Sequence, residues 1–208
     1  MTTSPNPPEP SQGAPATPDA LHAQALDDLR YIRRTMEGAA SFTALSGWGV
    51  FAIGVTAFPA AFLAERAEAR REWMLVWLIE AIIGIAIGVA TTARKARKAQ
   101  QPLFGRPGRK FALTFATPMA AGAILTIPLY YGGMAALLPG MWLLLYGTAF
   151  ATAGAFSVST VPVMGLCFMV AGTAALAAPA SLGNYFMAAG FGALHLIFGA
   201  LIARKHGG

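Results

Sequence analysis

Two ionisable side chains stand inside stretches otherwise apolar enough to cross a membrane: Glu80 in WLIEAIIGIAIGVATT, Trp77 to Thr92, and His195 in FMAAGFGALHLIFGALIA, Phe186 to Ala203. A buried carboxylate that gains and loses a proton is the minimum equipment of a proton-coupled transporter. The same carboxylate, neutral or paired with an imidazole, can instead lock two helices in register. At a rise of about 1.5 Å per residue, Glu80 lies about 12 Å below Glu72, and His195 about 16 Å below Asn184. Their faces match as well as their depths. Glu80, Gly84 and Gly88 recur every four residues, which allows close helix approach on the face that carries the acid. His195 shares its face with Ala188 and Gly192 before it and Gly199 and Ala203 after it. The expectation is that Glu80 and His195 meet between the second and sixth spans. A lone charge near the bilayer centre costs roughly 3 kcal/mol on insertion scales, so an unpaired Glu80 would keep its proton.

Other chemistry is poorly represented. HExxH and GxSxG are missing, and no second intramembrane histidine offers bis-histidine haem ligation. His22, His195 and His206 are too scattered to form a metal cluster in sequence, and Cys167 is the single cysteine. The GRPG at Gly105 to Gly108 has too little around it for a phosphate-binding loop. The expectation is therefore no catalytic residue, no metal and no cofactor, with Glu80 and His195 as the candidate polar site.

The elements that must position these residues are spans. The 208-residue chain is 56% hydrophobic and 12% charged, against about 25% charged in soluble proteins. From Phe111 to Ala203, 93 consecutive residues contain no Asp, Glu, Lys or Arg. A transmembrane helix needs about 20, so this run makes four spans. YYGG at Tyr130 to Gly133, SVSTVP at Ser157 to Pro162 and PASLGN at Pro179 to Asn184 supply the turns. Two more spans precede it, giving six in all: about 41–64, 73–93, 111–130, 137–156, 161–179 and 184–203. Pro59, Pro118, Pro128 and Pro162 offer sites where helices could break around a midplane site.

The charge pattern sets orientation. The pI of about 9.9 would suggest nucleic acid in a soluble chain, but the basic residues cluster at span ends. With the N-terminus in the cytoplasm, 12 of the 15 Lys and Arg fall on inner segments, seven of them between Arg94 and Lys110. Arg66, Arg70 and Arg71 lie in the first outer loop among Glu65, Glu68 and Glu72. Trp73, Tyr130, Tyr131, Trp142 and Tyr185 fall towards outer span ends, as interfacial aromatics do. Both termini are expected in the cytoplasm. Nucleic acid is not an expected partner; the bilayer is, with anionic headgroups at the basic loop.

Residues 1–18 read as a disordered, proline-rich cytoplasmic tail, with no secretory signal peptide. In 19–39, Leu21, Ala25, Leu29, Ile32 and Met36 recur at helical spacing, which predicts an amphipathic helix on the cytoplasmic surface. That helix rests on headgroups or docks a partner protein. Small-xxx-small pairs, Gly84 with Gly88 among them, together with Gly192 and Gly199, mark helix-packing faces and leave homodimerisation open.

ALDDLRYIRRTMEGAASFTALSGWGVFAIG near the start, MGLCFMVAGTAAL later and the closing LIARKHGG resemble a family of uncharacterised bacterial six-span membrane proteins. The resemblance implies a multi-pass protein of the bacterial cytoplasmic (inner) membrane and carries no activity or catalytic residue. The fold expected is all-α: a polytopic membrane bundle of six helices preceded by a cytoplasmic amphipathic helix. Three functional readings stay open: a non-enzymatic membrane protein of unassigned role, a small proton-coupled transporter or exporter, and a membrane partner of a cytoplasmic regulator.

Overall fold

The computed structural model describes residues 22, 24, 26–32, 45–100 and 105–206. The chain divides into two units, Met1–Ala39 and Ala40–Gly208. In the first, residues 26–32 are helical and exposed, and Arg30 pairs with Asp27 at 2.9 Å. The tail, and most of the amphipathic helix expected over 19–39, lie outside the described residues.

The second unit is helical throughout its regular elements. Among its described residues are six helices long and apolar enough to cross a membrane. The first, α1, runs Gly47–Glu65; the Ser46 side chain caps its start by accepting from the Gly49 amide at 3.2 Å. After a short turn, α2 runs Arg70–Lys98. Its 29 residues span about 44 Å, more than the roughly 30 Å of a hydrocarbon core. The excess is charged, with Arg70, Arg71 and Glu72 at one end and Arg94, Lys95, Arg97 and Lys98 at the other. Glu72 folds back over the turn, where Oε2 accepts from the Glu68 amide at 3.1 Å.

α3 runs Arg106–Tyr131 and stops at Gly132 and Gly133. Gly133 takes a φ of 77°, a left-handed conformation that glycine adopts without steric cost, and the Met134 amide reaches back to the Leu129 carbonyl at 2.9 Å. A 3₁₀ turn, Ala135–Leu137, leads into α4, Leu138–Ala153, and a second, Gly154–Phe156, closes that span. α5 runs Thr160–Ala177. The last span begins with the 3₁₀ turn Ala180–Leu182 and α6, Gly183–Met187. It passes through a π-helical segment, Ala188–Leu194, and ends in α7, His195–His206.

The prolines do not break their helices. α1 continues through Pro59, and α3 through Pro118 and Pro128. Pro162 sits in the first turn of α5, where its missing N–H costs no helical bond. The irregular span is instead the sixth, whose π segment, AAGFGAL, contains no proline.

Helices in lipid gain little from apolar burial against one another and associate through close packing and interhelical hydrogen bonds. Glycines spaced by seven supply the close packing. On α4, Gly140 and Gly147 face Gly172 and Gly165 of α5. A Cβ on Gly140 would lie 2.9 Å from the Gly172 carbonyl oxygen, and one on Gly147 would lie 2.6 Å from that of Gly165. The pattern repeats where α1 meets the sixth span. A Cβ on Gly54 would lie 2.8 Å from the Gly192 carbonyl oxygen, Gly47 backs onto the Ala203 backbone, and Gly199 onto that of Phe51. Gly84 and Gly88 differ, since a Cβ on either would make only ordinary contact with the Ile53 side chain, at 3.5 and 3.8 Å.

α1 thus packs between α2 and the sixth span, while α4 packs between α3 and α5. The start of the sixth span also touches α4 and α5, joining the two sets. The fully buried side chains at that junction include Leu143, Phe168, Met187 and His195.

Candidate functional site

The structure does not bring Glu80 and His195 together. Equal depth was insufficient, because α1 occupies the space between α2 and the sixth span and takes the Glu80 face for itself. Thr56 of α1 lies opposite the acid, with Oγ1 2.8 Å from Glu80 Oε1. The same hydroxyl oxygen is 3.0 Å from the Ile53 carbonyl and 3.4 Å from that of Ala52. Glu80 is 7% exposed, so this contact is shielded even without lipid around it.

His195 faces the other half of the bundle. Its Nε2 lies 2.7 Å from the Tyr146 hydroxyl of α4, and the residue is fully buried. Aromatic rings close around the pair. Phe168 meets the imidazole edge-on at 5.2 Å between centroids, and Phe191 stacks on it at 6.0 Å. Phe150 lies 4.9 Å from the Tyr146 ring, and Phe115 6.0 Å. Nδ1 has no hydrogen-bond partner among the described residues.

A third polar node lies nearer the α1–α2 turn. Trp77 Nε1 donates to Asn184 Oδ1 at 3.2 Å, and Asn184 Nδ2 donates to the Ala61 carbonyl at 2.8 Å and to Glu65 Oε2 at 3.0 Å. One side chain thereby ties α6 to both α1 and α2. In the other half, Trp142 Nε1 of α4 donates to Thr126 Oγ1 of α3 at 2.8 Å, and Thr126 passes its own proton to the Gly122 carbonyl at 2.7 Å. Trp73 of α2 stacks on Trp142 with centroids 5.5 Å apart. At the opposite, basic end, Lys95 Nζ donates to the Leu45 carbonyl at 3.1 Å.

The clefts on the bundle include two lined by described residues. One, of about 260 Å³, lies at the Asn184 end and is lined in part by Glu65, Arg70, Trp73, Ser181 and Asn184. The other, of about 420 Å³, is a wide lateral groove lined by Leu113, Thr114, Thr117, Pro118 and Thr152. Neither is lined by Glu80 or His195. Among the described residues, no three His, Cys, Asp or Glu side chains come together to hold a metal ion.

Comparison with protein-family models, with curated proteins and with solved structures finds no match to this chain.

Thr56 and Tyr146, the actual partners, escaped the sequence reading for different reasons. Thr56 carried a usable signal: in a tight antiparallel hairpin, residues equidistant from the turn face each other, and 56 and 80 are equidistant from 68. Tyr146 carried none, because its pairing with His195 links positions 49 apart in sequence through two intervening helix contacts.

Proposed function

We propose that the chain is a non-enzymatic integral protein of the bacterial cytoplasmic membrane, with both termini in the cytoplasm, whose polar residues, within the spans and at their outer ends, hold helices together. The observation that carries this reading is the destination of those residues. Glu80 contacts α1, His195 contacts α4, Asn184 bonds α1 and α2, and Trp142 bonds α3. Neither cleft is lined by Glu80 or His195. The orientation rests on the basic residues grouped at the ends of α2, α3 and α7, which favour the cytoplasmic side and its anionic headgroups.

Proton-coupled transport is the competing reading, and one observation favours it: the π segment, Ala188–Leu194, directly before His195, since π-helical turns inside helices are frequent at functional sites. The two readings separate in proteoliposomes carrying a pH-sensitive dye. With an imposed proton gradient, the proposal expects dye responses equal to those of empty liposomes, unchanged in Glu80→Gln. A protein-dependent proton flux that Glu80→Gln abolishes would establish the transporter.

A further inference from the structure

The hydrogen bonds around Thr56 fix more than a contact. The hydroxyl has one proton, yet its oxygen lies within reach of two strong acceptors, the Glu80 carboxyl at 2.8 Å and the Ile53 carbonyl at 3.0 Å. It can supply one of them fully. The Ile53 carbonyl already serves the α1 ladder, so the group left short is the carboxylate, which if ionised would hold its charge on a single hydroxyl hydrogen bond. A protonated carboxyl removes the conflict: it donates to Thr56 Oγ1, and Thr56 donates to Ile53.

The rest of the bundle indicates which way the threonine proton runs. Thr91, Thr117, Thr126, Thr148, Thr152 and Thr173 each donate to the carbonyl four residues back, at 2.7 to 3.0 Å. Thr126 is the close parallel. A donor on the neighbouring helix, Trp142 Nε1–H, feeds its oxygen, and its own proton goes to Gly122. Glu80 stands toward Thr56 as Trp142 stands toward Thr126, the group on the neighbouring helix within hydrogen-bond reach of the threonine oxygen.

Among the described residues, nothing nearby offers a charge to hold Glu80 ionised. α1 has no ionisable residue between Gly47 and Ala64, and α4 has none but Tyr146, which bonds His195. On α2 the nearest charged residues are Glu72 and Arg94, about 12 and 21 Å away along the axis. On the sixth span the one ionisable residue before Arg204, Tyr185 aside, is His195, whose Nε2 is taken by Tyr146 and whose Nδ1 reaches no described side chain.

We propose that Glu80 and Thr56 form a proton-binding site, occupied at neutral pH, in which the acid O–H donates to Thr56 and Thr56 donates to Ile53. The proton is released only when α1 and α2 part at this level. The proposal deepens the reading of Glu80 as a helix-to-helix link. Its test reads the acid itself rather than ion flux, so either can fail while the other stands.

The experiment is infrared spectroscopy of the full chain in lipid at neutral pH, in H₂O and D₂O. The expected result is a carboxylic-acid C=O stretching band that exchanges slowly in D₂O and moves to lower frequency on ¹³C-glutamate labelling. The band is lost in Glu80→Gln and shifts upward in Thr56→Val, where its hydrogen-bond acceptor is gone. Among the described residues the other carboxyl groups, Asp27, Asp28, Glu65, Glu68 and Glu72, are exposed, so any proton on them exchanges at once in D₂O, unlike that of the expected band. Absence of the acid band from the wild-type spectrum would overturn the proposal without need of a variant. So would its persistence in a Glu80→Gln protein that still unfolds cooperatively.

Discussion

Gly147→Ala adds a single methyl group where the structure leaves no room for one. The new Cβ would lie 2.6 Å from the Gly165 carbonyl oxygen and 2.6 Å from the Met169 amide nitrogen. Both are backbone atoms of α5 and cannot swing aside as a side chain would. Ordinary contact begins near 3.4 Å, so α4 and α5 must separate locally by about 0.8 Å. Overpacking of this kind costs about 1–3 kcal/mol. In a chain of this length each kcal/mol moves the unfolding midpoint by about 2–4 °C, so Tm should fall by about 2–12 °C. Gly84→Ala is the matched control, because its Cβ meets only Ile53 Cγ2, at 3.5 Å. Alanine also favours helix over glycine by up to about 1 kcal/mol, so this variant should equal or slightly exceed the wild type. Both are read by thermal unfolding in one detergent, followed by intrinsic fluorescence. A Gly147→Ala protein as stable as the wild type, or a Gly84→Ala protein that loses more, would refute the packing argument.

Tyr146→Phe keeps the ring among its aromatic neighbours but leaves His195 Nε2 buried without a partner, a loss of about 1–3 kcal/mol. The double variant with His195→Phe should lose less than the sum of the single changes, and strict additivity in thermal unfolding would deny the pairing. Asn184→Ala removes links to Trp77, the Ala61 carbonyl and Glu65 together. It should therefore lower Tm more than Trp77→Phe, which removes one bond and keeps an aromatic ring beside Phe191; the reverse order would count against Asn184 as the node. Thr126→Val strands the Trp142 indole N–H, at a cost of about 1 kcal/mol. Its tryptophan emission should shift relative to the wild type, and an unchanged spectrum and midpoint would sink that link.

The spans were legible because their signals are local and physical. A 93-residue stretch without a formal charge has to be folded back on itself, and the glycine, proline and asparagine of YYGG and PASLGN mark where. Helix ends ran past the apolar segments because charged turns such as Arg94–Lys98 continue as helix beyond the hydrocarbon. The π segment had no comparable marker. Close packing was half legible. A four-residue glycine spacing pointed to Gly84 and Gly88, which meet only a side chain, whereas the seven-residue series at Gly140 and Gly147 and at Gly165 and Gly172 marks where backbones touch. Glu80 and His195 are buried, at 7% and 0% exposed. Their partners were not found, because depth and small-residue faces say how far along a helix a group lies but not which helix stands next to it.

That arrangement of neighbours is open to direct measurement by disulfide trapping in native membranes. Cys167 is the single cysteine, so a Cys167→Ala background gives a chain free of thiols into which pairs can be introduced. Oxidation should join Thr56→Cys to Glu80→Cys rapidly and leave Glu80→Cys with His195→Cys unjoined. Rapid joining of the second pair, with none of the first, would contradict the placement of α1 between α2 and the sixth span, and with it the account of how the polar interior holds this protein together.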